Sequence, residues 1–409
     1  MKILISAYSC EPGRGSERGV GWNVAREVAK SHEVWVLTRP DESKAAIEAE
    51  LEANPIPNLH FVYFTLPFWR DSMRWGQSGA MQLHYYLWQI QAYFVARRLH
   101  QELKLDLIHH TTFVKYSSPS FLSFLPIPFI WGPVGGGESA PKPFWQDFSL
   151  RAKLYELARN LVRGFGERDP FVRQTAKKSA VVRATTQDTA DKLQRMGASK
   201  IQIVPEVGLL EDEINFLAQY QLPVASPVRF ISMGRLLHWK GFHLGLKAFA
   251  QAGLSDAEYW IVGDGPERAN LQKIAHEYGI AAQVKFWGRL SREETLQKLE
   301  HCHVLVHPSL HDSGGWVCIE AMAAARPVIC LNLGGPAVQV TDNTGFKIPA
   351  HNPAQAVEEI ASAMIRLERE PELRANMGRA GRQIVNDRYS WKVVGECLGS
   401  VYRDTVKSA

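Results

Sequence analysis

Val228-Arg229-Phe230-Ile231-Ser232-Met233-Gly234-Arg235 is the stretch that decides the fold, because a short apolar run stops at a glycine followed by a cation. A run of this length and composition is typical of a buried strand in a parallel sheet. Four similar runs follow at helix-sized intervals, so this half of the chain is predicted to form a doubly wound α/β domain. The four runs are Glu258–Val262, Val284–Trp287, Val304–His307 and Pro327–Leu331.

The N-terminal half follows the same scheme. The strand-like run Lys2–Tyr8 leads into a glycine-rich loop, Glu11–Gly21, a helical stretch, Trp22–Lys30, and a second strand, Glu33–Thr38. This order predicts a βαβ unit, although the loop lacks a clean Gly-x-Gly-x-x-Gly spacing and so does not imply a bound dinucleotide. Further strands are predicted at Phe61–Leu66, Leu105–His110, Ile127–Trp131 and Val181–Ala184.

The chain is therefore predicted to hold two Rossmann-like domains, one of residues 1–205 with about 388–409 and one of residues 206–387. Ligands of doubly wound sheets bind beyond the carboxyl ends of the strands, so we expect the ligand in a crevice between the domains. The last segment, from Tyr389 to Tyr402, is apolar enough on one face to pack back across that crevice.

Composition narrows the class of protein. The 409 residues carry a formal net charge of +5, and residues 1–205 hold 26 Lys and Arg against 19 Asp and Glu. This surplus suits an anionic membrane surface or an acidic acceptor, but a solvated surface is the commoner reason for it. The basic residues are scattered and match no nucleic-acid motif, so nucleic acid is not expected as a partner.

The five cysteines form no Cys-x-x-Cys pair, and their odd number predicts reduced thiols, with neither a disulfide nor a zinc site. The first apolar run is better read as a strand than as the longer hydrophobic region of a signal peptide. No uncharged stretch approaches the roughly 18 residues of a membrane-spanning helix. We expect a cytoplasmic protein.

Two cations, Arg235 and Lys240, follow the first strand quoted above at its carboxyl end. Arginine offers bidentate contacts and lysine a point charge, so together they suit two linked phosphates without a metal ion. Two ordinary surface cations beside a turn are the alternative. Gly234 and Gly241 bracket the pair and favour the phosphate site.

Two carboxylates, Asp312 and Glu320, flank Ser313-Gly314-Gly315-Trp316 at a predicted helix start. Bare backbone N–H groups and the helix dipole favour anionic or oxygen-rich ligands there. The stretch after Glu320, residues 321–325, is too small and apolar for a solvated helix, and a buried carboxylate needs donors such as sugar hydroxyls. Together the cations and the acids predict a clamp for a nucleotide-sugar.

The order of motifs resembles that of the retaining glycosyltransferases of family 4, of bacterial type, which have the GT-B fold. The resemblance covers essentially the whole chain and is strongest over residues 228–346. It implies an α/β fold of two doubly wound Rossmann-like domains facing a central cleft, with a C-terminal helix that crosses back to the N-terminal domain. Besides the cation and acid motifs, the order comprises Gly263-Asp264-Gly265-Pro266, Phe286-Trp287-Gly288, His307-Pro308-Ser309, Glu320-Ala321-Met322-Ala323, Arg326-Pro327-Val328-Ile329 and Gly334-Gly335-Pro336.

Residue roles follow from the resemblance. It implies that Arg235 and Lys240 hold the donor diphosphate, that Glu320 holds the ribose, and that Asp312 with neighbouring amides holds the transferred sugar. The resemblance also implies that the backbone around Gly288 and Arg289 meets the nucleotide base. The donor-binding residues implied in this way are Gly234, Gly288, Arg289, Ser313, Gly314, Gly315, Trp316 and Glu320.

The sequence departs from the family pattern at three places. Asp312 stands where glutamate is usual, Pro205-Glu206-Val207-Gly208 stands where an Asn-Gly turn is common, and the glutamate often seen after Gly334-Gly335 is missing. The shorter side chain of Asp312 bears on the choice of donor sugar.

His109 and His110 end a predicted strand where the family carries a histidine that faces the cleft and contacts the donor sugar. Successive strand residues point to opposite faces, so only one of the two is expected there. We predict His110, with His109 as the alternative, and a histidine hydrogen-bonded in the core is the competing interpretation. With Arg235, Lys240 and Asp312, His110 completes the predicted catalytic set.

Two other segments are assigned to partners. The glycine loop Trp131–Glu138 is predicted to form the acceptor side with Gly15, Ser16 and Glu17, a structural turn being the alternative. Aromatic and basic residues interleave over Leu66–His100, which is typical either of an amphipathic helix seated on a membrane or of a helix within the domain core. Membrane seating would suit a lipid-linked acceptor.

The sequence therefore predicts a metal-independent hexosyltransferase without a cofactor. It would move a sugar from a nucleoside diphosphate, UDP favoured over GDP, to a hydroxyl of a saccharide or lipid-linked acceptor in polysaccharide or glycolipid synthesis. Retention of configuration follows from the resemblance alone. A non-catalytic sugar-nucleotide sensor or scaffold and a GT-B sugar-nucleotide epimerase stay open as alternatives, as does peripheral binding to the inner face of the membrane.

Overall fold

The computed structural model describes residues 1–69, 79–204, 207–222 and 227–408. Two of the predictions fall partly outside this range: the departure at Pro205-Glu206, and the part of the aromatic and basic segment between residues 70 and 78.

The chain divides into two compact units. The first is Met1–Gly137, Arg159–Glu206 and Trp391–Ala409, and the second is Glu138–Ala158 and Val207–Ser390. This division differs from the predicted domains chiefly at Glu138–Ala158, which the prediction assigned to the N-terminal domain. The segment belongs with the second unit because Phe144 and Phe148 are buried in that unit's core.

Among the described residues, seven strands form the parallel sheet of the first unit: β1 (Lys2–Ser6), β2 (Glu33–Thr38), β3 (Leu59–Tyr63), β4 (Leu107–His110), β5 (Phe129–Val134), β6 (Val181–Ala184) and β7 (Ile201–Ile203). Their order is β3-β2-β1-β4-β5-β6-β7. The helices between these strands are α1 (Ser16–Ala29), α2 (Pro40–Ala53), α3 (Gly79–Leu103), α4 (Leu150–Arg168), α5 (Pro170–Lys178) and α6 (Gln187–Arg195). The part of α4 up to Ala158 belongs to the second unit and the rest to the first.

The second unit repeats the plan. Within residues 227–408 its parallel sheet consists of six strands: β8 (Arg229–Met233), β9 (Glu258–Val262), β10 (Val284–Gly288), β11 (Val304–His307), β12 (Val328–Leu331) and β13 (Gly345–Ile348). Their order is β10-β9-β8-β11-β12-β13. Its helices are α7 (Glu211–Ala218), α8 (Phe242–Ala252), α9 (Arg268–Glu277), α10 (Arg292–Lys298), α11 (Trp316–Ala323), α12 (Gly334–Gln339), α13 (Pro353–Arg369) and α14 (Pro371–Arg388).

The last helix, α15 (Trp391–Lys407), belongs to the first unit and packs there against α1. Gly395 makes this contact close, since a Cβ at that position would stand 2.6 Å from the Cβ of Glu27. The fold is thus the predicted one of two parallel-sheet Rossmann-like domains, with a C-terminal helix returning to the first. Across the described residues, no helix combines the length and apolar character that crossing a bilayer requires.

Sequence periodicity missed two strands, β7 and β13, which each lie at an edge of their sheet. Edge strands are buried less completely than central ones, so their sequences, Ile201-Gln202-Ile203 and Gly345-Phe346-Lys347-Ile348, include polar residues and do not form an apolar run.

The strand order reverses between β1 and β4 in the first sheet and between β8 and β11 in the second. At such a point the connections diverge to opposite faces and leave an open crevice at the carboxyl ends of the two strands. The loops after β8 and β11 are those that carry the predicted cations and acids, and His109 and His110 lie on β4. The topology therefore brings the two motifs of the second unit to one place.

Candidate functional site

The loops after β8 and β11 touch at Gly241 and Pro308. Gly241 has a φ of 68°, and a Cβ there would stand only 1.9 Å from the Pro308 carbonyl oxygen. In the same region the Leu310 amide donates to the Trp239 carbonyl at 2.8 Å. The glycine after Lys240 is therefore needed for the close approach of two loops, in addition to its backbone conformation.

Lys240 and Asp312 form an ion pair across these loops. The Lys240 Nζ lies 2.5 Å from Asp312 Oδ2, and His307 Nε2 lies 3.1 Å from the same oxygen. Burial by itself would raise the pKa of Asp312, but Lys240 and His307 outweigh it and hold the pKa well below its usual range. Asp312 is accordingly ionised, and it shares the charge of the lysine that the sequence assigned to a diphosphate.

The second oxygen of Asp312 organises the glycine turn. Its Oδ1 accepts from the amides of Gly314 and Gly315, at 3.3 Å and 3.2 Å. These are the amides that the sequence assigned to the transferred sugar. In this structure they are satisfied by the acid itself, in the way that aspartate commonly shapes a turn before a helix.

The turn is held from two further sides. The Ser313 hydroxyl donates to Glu138 Oε2 at 2.6 Å, and Glu138 is almost fully buried. In the first turn of α12, a Cβ on Gly335 would stand 2.4 Å from the Ser313 carbonyl oxygen. A Cβ on Gly334 would likewise stand 2.4 Å from the Asp312 carbonyl oxygen, so a close backbone approach accounts for both glycines.

Glu320 lies one helix turn into α11 and is buried, as predicted. Its Oε1 accepts from Arg292 Nη1 at 2.7 Å, and Arg292 Nη2 also donates to Glu213 Oε1 at 2.7 Å. Burial raises the pKa of Glu320, and Arg292 opposes this rise. A buried carboxylate beside a half-exposed guanidinium can accept hydrogen bonds from ligand hydroxyls at a small further cost in desolvation.

The sequence did not predict Arg292 and Glu213 as residues of the site. Ser291 and Glu294 form a capping box that starts α10, and this Ser-x-x-Glu signal is visible in the sequence. It would have placed Arg292 at the first position of the helix. The contact with Glu320 could not be read in the same way, because it depends on how α10 and α11 meet.

The remaining predicted donor residues lie at strand ends or helix starts of the second unit. Gly234, with a φ of 140°, follows the last residue of β8, and Gly288, with a φ of 73°, is the last residue of β10. Arg235 and Arg289 are exposed, and within the described part of the chain the Arg235 guanidinium has no ion-pair partner. Trp316 is the first residue of α11 and is half-buried.

Glu156 on α4 is a further polar group of the second unit that the sequence did not reveal. Its side chain is fully buried, and its Oε1 lies 3.1 Å from His238 Nε2 and 3.2 Å from His311 Nε2. His238 precedes Lys240 in one loop and His311 precedes Asp312 in the other. One carboxylate therefore links the two loops that carry the ion pair.

His109, in the first unit, is fully buried with both ring nitrogens bonded. Its Nε2 donates to the Gly132 carbonyl at 2.8 Å, so Nδ1 accepts from the Tyr402 hydroxyl of α15 at 2.6 Å. Burial, assisted by Arg183, lowers the pKa of His109 to about 3. The ring is neutral, and its contacts are those of a structural histidine.

His110 is also fully buried, on the opposite face of the sheet. Its Nε2 donates to the Thr112 carbonyl at 3.1 Å and lies 3.2 Å from the Tyr85 hydroxyl of α3. Its Nδ1 has no hydrogen-bond partner among the described residues. Burial lowers the pKa of His110 to about 4. His109 and His110 thus lie on opposite faces of the sheet, as predicted. Helices cover both faces, and the role of His110 stays a prediction.

The structure describes the two loops that the sequence assigned to the acceptor, and their role stays a prediction. Gly15 caps α1, and Ser16 begins that helix with a φ of 60°, which is uncommon for a residue other than glycine. Glu17 accepts from the Phe113 amide at 3.0 Å. In the glycine loop, a Cβ on Gly137 would stand 2.5 Å from Thr189 Cα, so close packing within the first unit accounts for this glycine.

The aromatic and basic segment is a core element where it is described. Helix α3 buries Tyr85, Trp88, Ala92 and Ala96 in the apolar cluster of the first unit. Of the two interpretations of this segment, the structure shows the helix within the domain core for residues 79–103.

All five cysteines are free thiols, and four of them are buried.

Residues 218–384 match a family model described as glycosyl transferases group 1. A GDP-mannose-dependent monoacylated alpha-(1-6)-phosphatidylinositol monomannoside mannosyltransferase of Corynebacterium glutamicum is 32% identical over 176 residues, which are 41% of this chain and 45% of that protein. An alpha-D-kanosaminyltransferase of Streptomyces kanamyceticus is 25% identical over 246 residues, which are 57% of this chain and 62% of that protein. The chain thus spans roughly half the length of these relatives.

Two solved structures resemble the whole chain. A sucrose-phosphate synthase from Thermosynechococcus elongatus superimposes with a TM-score of 0.68 at 19% identity, and the match covers 100% of both chains. HepE of Anabaena in complex with UDP gives a TM-score of 0.59 at 19% identity over 99% of this chain and 100% of that one. At this level of identity the likeness concerns the fold. Residues 218–384 are thus similar to the group 1 glycosyl transferases, and the whole chain has the GT-B fold that the order of its motifs predicted.

Proposed function

We propose that the chain is a retaining glycosyltransferase that moves a sugar from a nucleoside diphosphate to a hydroxyl acceptor. One observation carries this proposal: two loops from neighbouring strands at the reversal point of the second sheet bring Lys240 and Asp312 into contact, with Glu320 on the helix that follows. Cations, acids and a helix start at one edge of a sheet are the groups that phosphates and sugar hydroxyls require.

The chemistry follows from where charge develops. When the bond between the anomeric carbon and the diphosphate oxygen breaks, the bonding electrons stay on the diphosphate, the acceptor oxygen bonds to that carbon, and the proton of the acceptor hydroxyl passes to the departing diphosphate. Lys240, Arg235 and the start of α11 would stabilise this charge, and fixed positive groups lower the barrier because they need no reorganisation. Arg235 is exposed and unpaired within the described chain, so it can meet a phosphate directly.

Lys240 has to serve two anions. Its contact with Asp312 holds the ammonium in place, and a diphosphate would share it or displace the acid. If the acid moves, Asp312 Oδ1 releases the Gly314 and Gly315 amides, which then become donors for the sugar. The same acid can therefore keep the site in order before the donor arrives and bind sugar hydroxyls afterwards.

The donor is proposed to carry UDP, in line with the HepE structure solved with UDP. The GDP-mannose-dependent relative keeps GDP as the second choice. The acceptor is proposed to be a saccharide or lipid-linked hydroxyl in polysaccharide or glycolipid synthesis. We further propose that transfer needs no metal ion and no cofactor, and that the protein is cytoplasmic with a peripheral contact to the inner face of the membrane.

A panel of UDP-, GDP- and ADP-sugars tests this function with the purified protein in EDTA. The expected result is one donor that both raises the melting temperature and is slowly hydrolysed, because transferases commonly lose some sugar to water. Stabilisation without hydrolysis would favour a sensor, release of an epimerised sugar would favour an epimerase, and hydrolysis only after Mg²⁺ is restored would overturn metal independence.

A further inference from the structure

The segment that follows β4 turns at Phe113 and then runs beside the glycine loop. Phe113 has a φ of 59°, which is strained for a bulky residue, and its amide donates to Glu17 Oε1 at 3.0 Å. After this turn the Tyr116 amide donates to the Gly135 carbonyl at 3.1 Å. The turn therefore brings the segment 113–116, Glu17 and the glycine loop together at the carboxyl end of the first sheet.

The glycine loop leaves room for a ligand at Gly136. A Cβ on Gly136 would meet only the edge of the Tyr116 ring, at 4.0 Å, among the described residues, whereas a Cβ on the next glycine would collide with Thr189. Gly136 has a φ of 89°, a conformation that glycine adopts at no steric cost. A ligand can thus approach the backbone of the loop at this position.

Helix α4 reaches the same place with the part that belongs to the first unit, residues 159–168. A Cβ on Gly166 would stand 2.4 Å from the Ser117 carbonyl oxygen, so this glycine lets the helix touch the segment after β4. One turn earlier, the guanidinium carbon of the buried Arg163 lies 5.7 Å from the centre of the Tyr116 ring. This contact between helix and loop places arginine charge next to the segment 113–116.

Lys115 lies among these positive charges. Its side chain is exposed, and among the described residues its ammonium forms no ion pair. Desolvation lowers the pKa of Lys115, Arg159 and Arg163 lower it further, and Glu17 opposes them. The charged groups that act on Lys115 are therefore two cations and one acid, and the acid already accepts from the Phe113 amide.

Glu167, the acid of this part of α4, does not offset the charge of Lys115. It accepts from the Tyr116 hydroxyl at 2.8 Å and from Lys192 Nζ at 2.7 Å. Its negative charge is thus matched by Lys192, and a surplus of positive charge remains around Lys115.

We propose that the acceptor of the transferred sugar carries an anionic group, a phosphate or a carboxylate, which binds Lys115 and Arg159 beside the glycine loop. Like charges held together disfavour their charged forms, and an anion bound between them reverses this effect. Lysine and arginine bind such groups through charge-assisted hydrogen bonds. The inference rests on the proposed function and names its acceptor class, and it assigns part of the basic surplus of residues 1–205 to an acidic acceptor.

Calorimetric titration without a donor tests this site with glucose, glucuronate and glucose 6-phosphate, which share a pyranose ring and differ in charge. At least one of the two anions is expected to bind wild-type protein, more weakly at high salt, and to bind far more tightly than glucose. The anion that binds more tightly distinguishes a carboxylate from a phosphate acceptor.

Variants of Lys115 locate the binding. Lys115→Ala should weaken binding of the anionic probe about tenfold or more, the loss of one charge-assisted hydrogen bond. Lys115→Arg keeps the charge and should retain most of the binding. Lys200→Ala is the matched control, because Lys200 is an exposed lysine directly before β7, at the opposite end of the parallel strands, and it should bind like wild type.

The donor loops also carry cations, so Lys115→Ala and Lys200→Ala are compared again in Arg235→Ala protein, where the effect of Lys115→Ala should persist. Melting temperatures establish that each variant is folded. The inference is overturned if neither anion binds, if glucose binds as tightly as the anions, if Lys115→Ala binds like wild type, or if the effect disappears in Arg235→Ala protein. Because the titration needs no donor, its failure leaves donor hydrolysis as measured, and a failure of donor hydrolysis leaves the titration as measured.

Discussion

Lys240 and Asp312 are 72 positions apart in the chain, yet Nζ of the lysine lies 2.5 Å from Oδ2 of the aspartate. The cation expected to meet a phosphate and the acid expected to meet a sugar are therefore partners before any ligand binds. The two predicted phosphate-binding cations therefore differ in environment, because Lys240 is paired with an acid whereas Arg235 is exposed.

Lys240→Ala and Arg235→Ala should both reduce donor turnover, by roughly 10²–10³-fold each if they stabilise the leaving diphosphate. The two variants should differ in their free energy of unfolding. Lys240→Ala leaves the Asp312 carboxylate, whose side chain is only 17% exposed, without its lysine and should lower the unfolding free energy by about 3 kcal/mol, whereas Arg235→Ala should stay within about 0.5 kcal/mol of wild type. Urea unfolding and donor hydrolysis measure the two effects. Wild-type hydrolysis in both variants would remove the diphosphate assignment.

Glu320→Ala should weaken nucleotide binding by about 1.5–3 kcal/mol, the scale of a charge-assisted hydrogen bond. Arg292→Ala should weaken it too, because burial would then raise the pKa of Glu320 without opposition. The Arg292 side chain is 41% exposed. Solvent screening should therefore limit the loss in unfolding free energy of Arg292→Ala to about 1 kcal/mol.

Calorimetric titration with the nucleotide measures both variants, and the double variant completes a cycle. Strong non-additivity is expected, because Arg292 acts through Glu320. Unchanged affinity in Glu320→Ala would take this residue out of the site.

Glu156→Gln keeps the shape of the side chain but removes the charge that His238 and His311 share. The loops before Lys240 and Asp312 should loosen, raising the donor KM several-fold and lowering the melting temperature. Glu167→Gln on the same helix is the control, because Glu167 contacts Lys192 and Tyr116 in the first unit. Equal effects of the two variants on KM would show that Glu156 has only a structural role.

Acid should destabilise the protein before its carboxylates titrate. His109 and His110 have folded-state pKa values of about 3 and about 4, whereas unfolded histidine binds a proton near 6.5. Between these values the unfolded chain holds more protons, so stability is full above pH of about 6.5 and falls as the pH drops towards about 4.

Urea unfolding across this range measures the slope. His110→Gln, which retains a donor for the Thr112 carbonyl, should make the slope shallower and slow donor turnover. A stability that does not change between pH of about 6.5 and about 4.5 would contradict the buried neutral state of both rings.

Gly241→Ala should cost considerably more than Gly253→Ala. Both glycines have a positive φ, 68° and 61°, so both variants carry the backbone strain of about 1–2 kcal/mol. The added methyl group at position 241 would also stand 1.9 Å from a carbonyl oxygen, while at position 253 it would meet nothing within 4 Å. Thermal unfolding should rank them clearly, and equal losses would show that the loop after β8 can move away from Pro308.

Much of the fold was accessible from the sequence because its signals are local. Central strands are covered on both faces, so β1, β2, β8 and β11 appear as apolar runs, and Gly234 marks the end of β8. The strand–helix alternation then permits few topologies, because parallel crossovers are right-handed and doubly wound sheets place ligands at strand ends. Lys240, Asp312 and Glu320 could be singled out on these grounds.

Other features depended on contacts between distant segments. The pairing of Lys240 with Asp312, the guanidinium of Arg292 on Glu320, and the carboxylate of Glu156 between two histidines each join residues that are 28 to 155 positions apart. The same holds for the segment 138–158, whose phenylalanines pack in the second unit. Periodicity determined which residues share a helix face or a strand; only the tertiary structure decided what each face meets, because that depends on the crossing of elements far apart in the chain.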